Sequence, residues 1–146
     1  MAVRDMSEHE CLRCLSTERF GHLVCVRDGL PYMVPVNYAY GREKLYVFSL
    51  PGQKIDWLRN NPNACFQVGE MRDNQYWRSV LVRGMYNELP DNDRHRAERM
   101  HAWDLLQERR IWWEPGGFEP DSASEDATAT IFFGITVNDV TGRQFF

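Results

Sequence analysis

One stretch decides how this chain folds: Leu45-Tyr-Val-Phe-Ser-Leu-Pro-Gly-Gln-Lys-Ile-Asp-Trp-Leu-Arg-Asn-Asn-Pro62. A β-rich run breaks at Pro51-Gly52, and the apolar residues then return with the spacing of a helix. The sequence therefore predicts a strand from Lys44 to Ser49. It also predicts a helix from Gly52 to about Asn60 that stops at Asn-Asn-Pro, because the residue before a proline disfavours helical backbone.

The same stretch brings Ser49 and Lys54 to the start of the predicted helix. Backbone N–H groups at a helix N-terminus lack intrahelical partners, and the helix dipole adds a partial positive charge there. With one hydroxyl and one ammonium group beside them, these N–H groups suit a phosphate. The spacing of a Walker P-loop is absent, and a solvated lysine in the first helical turn is the simpler alternative.

Length, composition and charge narrow the function classes. The chain has 146 residues with 43% hydrophobic and 26% charged residues, so we expect a single domain spanning residues 1–146. No apolar run reaches the ~20 residues of a membrane-spanning helix, and the N-terminal MAVRDMSEHE lacks the apolar core of a signal peptide, so a cytoplasmic location is expected. A net charge of -4 argues against nucleic acid as a partner.

The remaining elements favour an antiparallel sheet or barrel. Ser7 and Glu10 form a capping-box pattern for a first helix that ends near Gly21, and Pro35 places its strand at an edge or a bulge. The other predicted elements are strands at Leu23–Asp28, Tyr32–Tyr40, Ala64–Gly69, Tyr76–Glu88 with a bend near Gly84, and Thr128–Val140, a hairpin turn at Asp28-Gly29, a helix at Asp91–Arg110 and a loop at Glu114–Asp126.

Metal and nucleophile chemistry have little support. His9, Cys11 and Cys14 lie close together, but no second ligand pair appears at a matching spacing. A redox C-x-x-C opens a helix after a strand, whereas this pair lies inside the first predicted helix. No G-x-S-x-G elbow is present. We expect free thiols, no metal site and no triad.

Aromatic residues make up 13% of the chain and give a second candidate for binding. Trp77 and Ser79 share one face of a predicted strand, because side chains alternate with a period of two. A ring followed by a hydroxyl two residues on suits a flat ligand with a polar edge. A tryptophan in a barrel wall and an outward serine are the alternative.

The order of these pieces resembles the FMN-binding split-barrel family, which includes pyridoxamine 5'-phosphate oxidase and its nitroimidazole-resistance (Nim-type) relatives. The resemblance is closest to the Nim-type flavoproteins. The similarity runs from Cys11 to about Ser79 and resumes near the end of the chain. The residues that carry it are Glu10-Cys11, Gly21 to Leu23, Pro31-Tyr32, Pro35 to Tyr38, Leu45 to Ser49, Gly52-x-Lys54, Asn61-Pro62, Cys65-Phe66, Trp77-x-Ser79-Val80 and Ile135 to Arg143.

The resemblance implies a mainly β fold with flanking helices, a six-stranded antiparallel split barrel. It also implies a homodimer with one FMN in each of two clefts between the subunits. Ser49 and Lys54 would hold the FMN phosphate, the strand from Pro35 to Tyr38 would run along the isoalloxazine, and Trp77 and Ser79 would face the ribityl chain or the ring. The implied cofactor-binding residues are thus Pro35, Val36, Asn37, Tyr38, Ser49, Lys54, Trp77 and Ser79.

The chain departs from the family pattern at two places. Phe48 stands where Nim-type relatives often have histidine before the serine, so the resemblance implies no histidine-assisted proton transfer at that position. The C-terminal segment Val140 to Phe146 lacks the Arg-x-His end of the true oxidases, which argues against oxidation of pyridoxine phosphate. No catalytic residue is therefore assigned, although Tyr32 and Tyr38 carry phenols that could donate a hydrogen bond.

The leading functional hypothesis is an FMN-dependent oxidoreductase that acts on a small planar acceptor such as a nitro compound. Its aromatic roof would be Trp77, Trp112 or Trp113. The rival is a non-catalytic flavin carrier or sensor, which Phe48 favours, and haem in the same cleft is a third alternative. Another flavin or a deazaflavin in place of FMN also remains open, as does the role of the acidic loop.

Overall fold

The computed structural model describes residues 2–108 and 130–146 of the chain. In these residues eight strands and three α-helices alternate along the sequence. Their bounds, in chain order, are β1 Val3–Asp5, α1 Glu8–Thr17, β2 Phe20–Arg27, β3 Leu30–Asn37, β4 Ala39–Gly41, β5 Lys44–Ser49, α2 Gln53–Asn60, β6 Asn63–Arg72, β7 Tyr76–Leu89, α3 Arg96–Gln107 and β8 Ile131–Phe145, with a short 3₁₀ turn at Asp93–His95 before α3. The predicted loop Glu114–Asp126, Trp112 and Trp113 lie outside the described residues.

Local sequence signals set the first helix and the first hairpin. The Ser7 hydroxyl accepts from the Glu10 N–H and the Glu10 carboxylate accepts from the Ser7 N–H, each at 3.1 Å, which confirms the capping box. Helix α1 ends at Thr17, earlier than the expected Gly21. Asp28 and Gly29 have φ values of 51° and 78°, which fit the tight turn between β2 and β3.

All eight strands belong to one antiparallel sheet with the order β3-β2-β6-β7-β8-β5-β4, and β1 pairs with β8. The two ends of this path, β3 and β4, are consecutive along the chain and are separated only by Tyr38. The sheet must therefore curl, and it stays open because no ladder joins these two strands.

The expected strand number of six is wrong, for two local reasons. Tyr38 divides one predicted strand into β3 and β4, which pair with different neighbours. The short strand Val3–Asp5, which the sequence pattern did not reveal, adds to β8. Without these two changes the count would be six.

The bend expected near Gly84 is present. The pairing of β7 with β8 shifts register between Arg83 and Gly84. A methyl group on Gly84 would collide with the carbonyl oxygen of Thr136, so the close crossing of the two strands requires glycine. Pro35 lies on β3, an end strand of the sheet, as its missing N–H predicts.

Two hydrophobic clusters flank the sheet. The larger fills the inside of the curled sheet and includes Leu15, Phe66 and Val82, each fully buried. The smaller lies between the sheet and α3, where Ala102 and Leu106 are fully buried. The apolar residues Ala97 and Met100 of the same helix are exposed, Met100 by 61%. None of the described helices has the length and apolarity needed to cross a membrane.

Candidate functional site

The segment from Ser49 to Lys54 joins β5 to α2. Ser49 is fully buried, and its hydroxyl donates a 2.7 Å hydrogen bond to the carbonyl of Leu50. Helix α2 begins after Gly52, which offers no side chain to cap it, and the space where a Gly52 Cβ would lie is open to 4 Å. An uncapped helix start with free space beside it can accept an anion.

Lys54 lies in the first turn of α2 and is only 7% exposed. Burying an ammonium group is costly without a compensating partner, so its position is a specific feature of the fold. Burial raises the pKa of the nearby Cys25 thiol, and the positive charge of Lys54 opposes that rise. Lys54 therefore lies near Cys25, on the core side of β2.

The strands β3, β2, β6 and β7 present a second surface on the side opposite the core, which we call the outer face. Alternation places Pro35 and Asn37 on it, with His22 opposite Pro35 and Gln67 opposite His22. Ser79 lies opposite Gly69 on the same face. The outer face thus gathers residues that are distant in sequence.

A groove of about 370 Å³ lies on the outer face. We call it the Trp77 groove. Its walls combine aromatic rings with polar and charged side chains, a composition typical of sites for small ligands. The residues that line it are Phe20, Gly21, His22, Gln67, Gly69, Glu70, Met71, Trp77, Arg78 and Ser79.

The middle of the groove is polar. Gln67 Nε2 donates a 3.1 Å hydrogen bond to Ser79 Oγ, which fixes both side chains. A methyl group on Gly69 would lie 2.6 Å from the Arg78 carbonyl oxygen and 3.0 Å from Gln67 Nε2, so the close approach of β6 and β7 at this point requires glycine. A planar ligand could lie over Gly69 with its polar edge towards Gln67 and Ser79.

One end of the groove is charged and aromatic. Glu70 Oε1 lies 2.9 Å from Arg78 Nε, so the two side chains form an ion pair. Within the described residues, this buried nitrogen does not donate a hydrogen bond. Arg72 is 3.4 Å from the same carboxylate. The Arg78 guanidinium also lies over the ring of Phe146, 4.8 Å from its centroid. The Glu70 carboxylate thus lies beside two guanidinium groups at this end.

The cofactor-binding residues expected from the sequence fall into three groups. Trp77 and Ser79 of β7 line the groove, and Pro35 and Asn37 lie on the same outer face on β3, with β6 and β2 between. Ser49 and Lys54 do not line the groove; they lie at the start of α2. Val36 and Tyr38 are the third group, both buried in the core.

The Tyr38 side chain packs in the core. Its side chain is fully buried and its hydroxyl donates a 2.7 Å hydrogen bond to the carbonyl of Leu15. The phenol therefore points into the core and not towards the outer face, so its expected use as a donor to a ligand is wrong. Tyr32 packs against Trp57, with the ring centroids 5.4 Å apart.

Phe48 also lies away from the groove. Its side chain is 4% exposed and packs in the smaller cluster against Phe132, with ring centroids 5.7 Å apart. Its neighbour Ser49 points to the opposite side of the strand. Phenylalanine at this position therefore removes no group from the Trp77 groove.

Sequence reasoning missed several groove residues, chiefly Phe20, His22, Gln67 and Gly69. The alternation of Phe20-Gly-His22 in a strand predicts that these two rings share a face, but only the pairing of β2 with β6 shows which strand lies beside them. No motif in the sequence identifies Gly69 as a residue of the groove. Among the described residues no group of three metal-ligating side chains occurs, and the four cysteines are free thiols.

The protein is thus mainly β, with one open antiparallel sheet, flanking helices and a groove on the outer face of the sheet. The family model described as pyridoxamine 5'-phosphate oxidase matches residues 7–144. The chain belongs to this family, which confirms the resemblance seen in the sequence.

Three relatives add to this assignment. An uncharacterized protein from Rhizobium meliloti is 45% identical over 144 residues, covering 98% of this chain and 95% of its own. A crystal structure of a FAD-binding protein from Mesorhizobium loti is 42% identical, with a TM-score of 0.84 and full coverage of both chains. A candidate 5-nitroimidazole antibiotic resistance protein from Bacteroides thetaiotaomicron, 20% identical with a TM-score of 0.73, covers 99% and 90% and shares the fold.

Proposed function

We propose that this protein binds FMN and uses it as an oxidoreductase that reduces a small planar acceptor of the nitro-compound type. The observation that carries the proposal is the Trp77 groove, whose centre at Gly69 bears no side chain and lies beside an aromatic ring and a fixed polar pair. An isoalloxazine is flat, apolar on its faces and polar along one edge. The mixture of rings and polar groups in the groove supports the binding of such a ring, as does the family assignment.

The residues of this chain would bind and orient the cofactor. Lys54, with the open N–H groups of α2, would hold the phosphate, since a charge-assisted hydrogen bond is about twice as strong as a neutral one. Ser49 would join it after its hydroxyl turns away from the Leu50 carbonyl. Trp77 would cover the ring, and Gln67 and Ser79 would meet its polar edge. Bound FMN would supply the electron transfer.

We also propose a homodimer with FMN at the subunit interface. Ser49 and Lys54 do not line the groove, so a ligand that uses both places is best served by two chains. The outer face carries several exposed apolar side chains, which favours burial by a second copy. Its exposed residues include Phe20 at 47%, Met33 at 63%, Met71 at 64% and Met85 at 41%.

The dimer has a direct test. Replacing Met33 with lysine puts a charge on the end strand of the outer face without disturbing the core, because Met33 is 63% exposed. We expect the wild-type protein to sediment as a dimer and M33K to shift to monomer with reduced flavin content. Met100→Lys, at a similarly exposed methionine on α3, is the matched control. A wild-type monomer that retains all its flavin would contradict the interface.

FMN and FAD carry the same isoalloxazine ring, and FMN is the smaller of the two molecules. The Mesorhizobium loti relative is described as FAD-binding, so FAD is the alternative for this chain, and a deazaflavin is a further one. Mass spectrometry of the ligand released by gentle denaturation distinguishes these molecules by their masses. The assignment to FMN predicts the mass of FMN, with no adenylate.

A carrier or sensor that binds flavin without turnover is the second candidate, because no general acid or base has been identified in the site. The two functions separate in one spectroscopic experiment. NADH or NADPH added without oxygen should bleach the flavin bands, and a nitro compound or oxygen should restore them. Retained flavin that neither reductant bleaches would favour the carrier.

A cytoplasmic location and a single-domain organisation stay predictions. Neither affects the proposed chemistry.

A further inference from the structure

His22 is the one imidazole among the residues that line the Trp77 groove. It lies on the outer face of β2, with Pro35 opposite on β3 and Gln67 opposite on β6. The ring of Phe20 meets it edge-on, with 5.5 Å between the centroids. Strand pairing on both sides thus holds the imidazole next to the polar centre of the groove.

The nitrogens of this imidazole remain available to a ligand. Within residues 2–108 and 130–146, neither ring nitrogen of His22 makes a hydrogen bond to the protein, whereas Gln67 and Ser79 bond to each other. A half-buried donor beside a fixed polar pair is the arrangement that orients a ligand in a mainly apolar site.

We propose that His22 donates a hydrogen bond to the polar edge of the ring bound in this groove, and that its positively charged form favours the ring when reduction has made that edge negative. This inference rests on the proposed flavin function. A nicotinamide-type reductant would supply two electrons and one proton as hydride. His22 keeps its own proton, so no bond to the imidazole forms or breaks.

The charged side chains that share the groove with His22 already have partners. Glu70 and Arg78 are the charged groups that line the same groove, and they are paired with each other at 2.9 Å. The facing residues of β3 and β6, Pro35 and Gln67, are uncharged. A lower pH favours the positively charged form of an imidazole, and that form attracts a negatively charged ring, so the experiment compares an acidic with an alkaline pH.

The experiment measures the midpoint potential of FMN bound to the full-length protein, at about pH 6 and about pH 8. His22→Gln keeps a donor of similar reach but cannot carry a charge. His9→Gln makes the same substitution on the exposed side of α1 and is the matched control. His22→Asn repeats the test with a shorter amide.

At about pH 6 we expect the potential of H22Q to fall below that of the wild type by about 30 mV, which corresponds to a tenfold loss of preference for reduced flavin. The difference should shrink at about pH 8, and H9Q should match the wild type at both. A purely structural role of His22 would change the melting temperature or the flavin content, but the difference in potential between H22Q and the wild type would not depend on pH.

Two results would overturn the inference in distinguishable ways. If wild type, H22Q and H22N bind FMN with equal potentials at both pH values, His22 has no such role while the flavin function stands. If the wild-type protein retains neither FMN nor FAD, the flavin function fails, and the role of His22 fails with it.

Discussion

Gln67 Nε2 lies 3.1 Å from Ser79 Oγ and joins β6 to β7 at the centre of the outer face. The two residues are twelve positions apart in sequence, and each is held by the antiparallel ladder on either side. Because the bond occupies one donor of the Gln67 amide, the second N–H of that amide remains to meet a ligand. This pair is the polar centre around which the groove is built.

Replacing Gln67 with alanine should lower FMN affinity by about tenfold, since a lost hydrogen bond in a desolvated site costs about 1–2 kcal/mol. Fluorescence titration of FMN measures this change. Asn87→Ala is the matched control, because Asn87 donates a comparable 2.7 Å bond to Thr136 Oγ1 on β8, away from the groove. Equal losses of affinity in both variants would point to a general effect on the sheet.

Replacing Lys54 with methionine should lower FMN affinity by at least about tenfold, because a contact with a charged phosphate is worth about 1.5–3 kcal/mol. Methionine keeps most of the buried volume of the 7%-exposed side chain. Riboflavin, which lacks the phosphate, should bind both proteins about equally. Lys44→Met, at a lysine paired with Glu98 at 2.9 Å, controls for the loss of a positive charge. Unchanged FMN affinity in K54M would contradict the phosphate assignment.

Tyr38→Phe should destabilise the fold while leaving the flavin in place. The hydroxyl of Tyr38 donates to the Leu15 carbonyl at 2.7 Å inside the core, and an unsatisfied buried carbonyl costs about 1–3 kcal/mol. Urea unfolding measures the loss, and FMN titration at low urea should give the wild-type affinity. A marked loss of FMN affinity with unchanged stability would mean that the phenol acts on the ligand.

Glu88 should stabilise the protein in a pH-dependent way. The Arg59 side chain, with Nε 2.7 Å from Glu88 Oε1, holds the pKa of Glu88 below its ordinary value of 4.5, and the Tyr86 hydroxyl lowers it further. A lowered folded pKa means that this stabilisation is present above about pH 4.5 and is lost as the pH falls through the folded pKa.

Urea unfolding of Glu88→Gln tests this sign. We expect E88Q to be less stable than the wild type by about 1 kcal/mol at about pH 7, since the pair is partly exposed, and the gap to narrow at about pH 3. Asp93→Asn removes a carboxylate from an exposed pair with Arg96 and should change stability little at either pH. A gap that widens on acidification would reverse the assigned sign.

Local signals in the sequence predicted much of the fold. The capping box at Ser7, the Asp28-Gly29 turn and the strand from Lys44 to Ser49 depend on neighbouring residues alone, and all three are confirmed. The division of a strand at Tyr38 could not be predicted, because it depends on which strands pair on each side.

The candidate site shows the same limit. Alternation correctly placed Trp77 and Ser79 on one face, since both line the groove. His22 and Gln67 join them only through the pairing of β2 with β6, which is a long-range property. The assignment of Ser49 and Lys54 to a phosphate stays a prediction, although the burial of Lys54 at an uncapped helix start supports it.

Flavin retention is the most direct test of the proposed function. The purified protein is incubated with FMN, desalted, and its visible spectrum is recorded beside that of a Ser79→Leu variant, in which a larger apolar side chain replaces the hydroxyl that lines the groove. We expect flavin bands in the wild-type protein at close to one flavin per chain and a strong reduction in S79L, with circular dichroism confirming that both are folded. A wild-type protein that emerges colourless, or a folded S79L that retains FMN as well as the wild type, would contradict the proposed site.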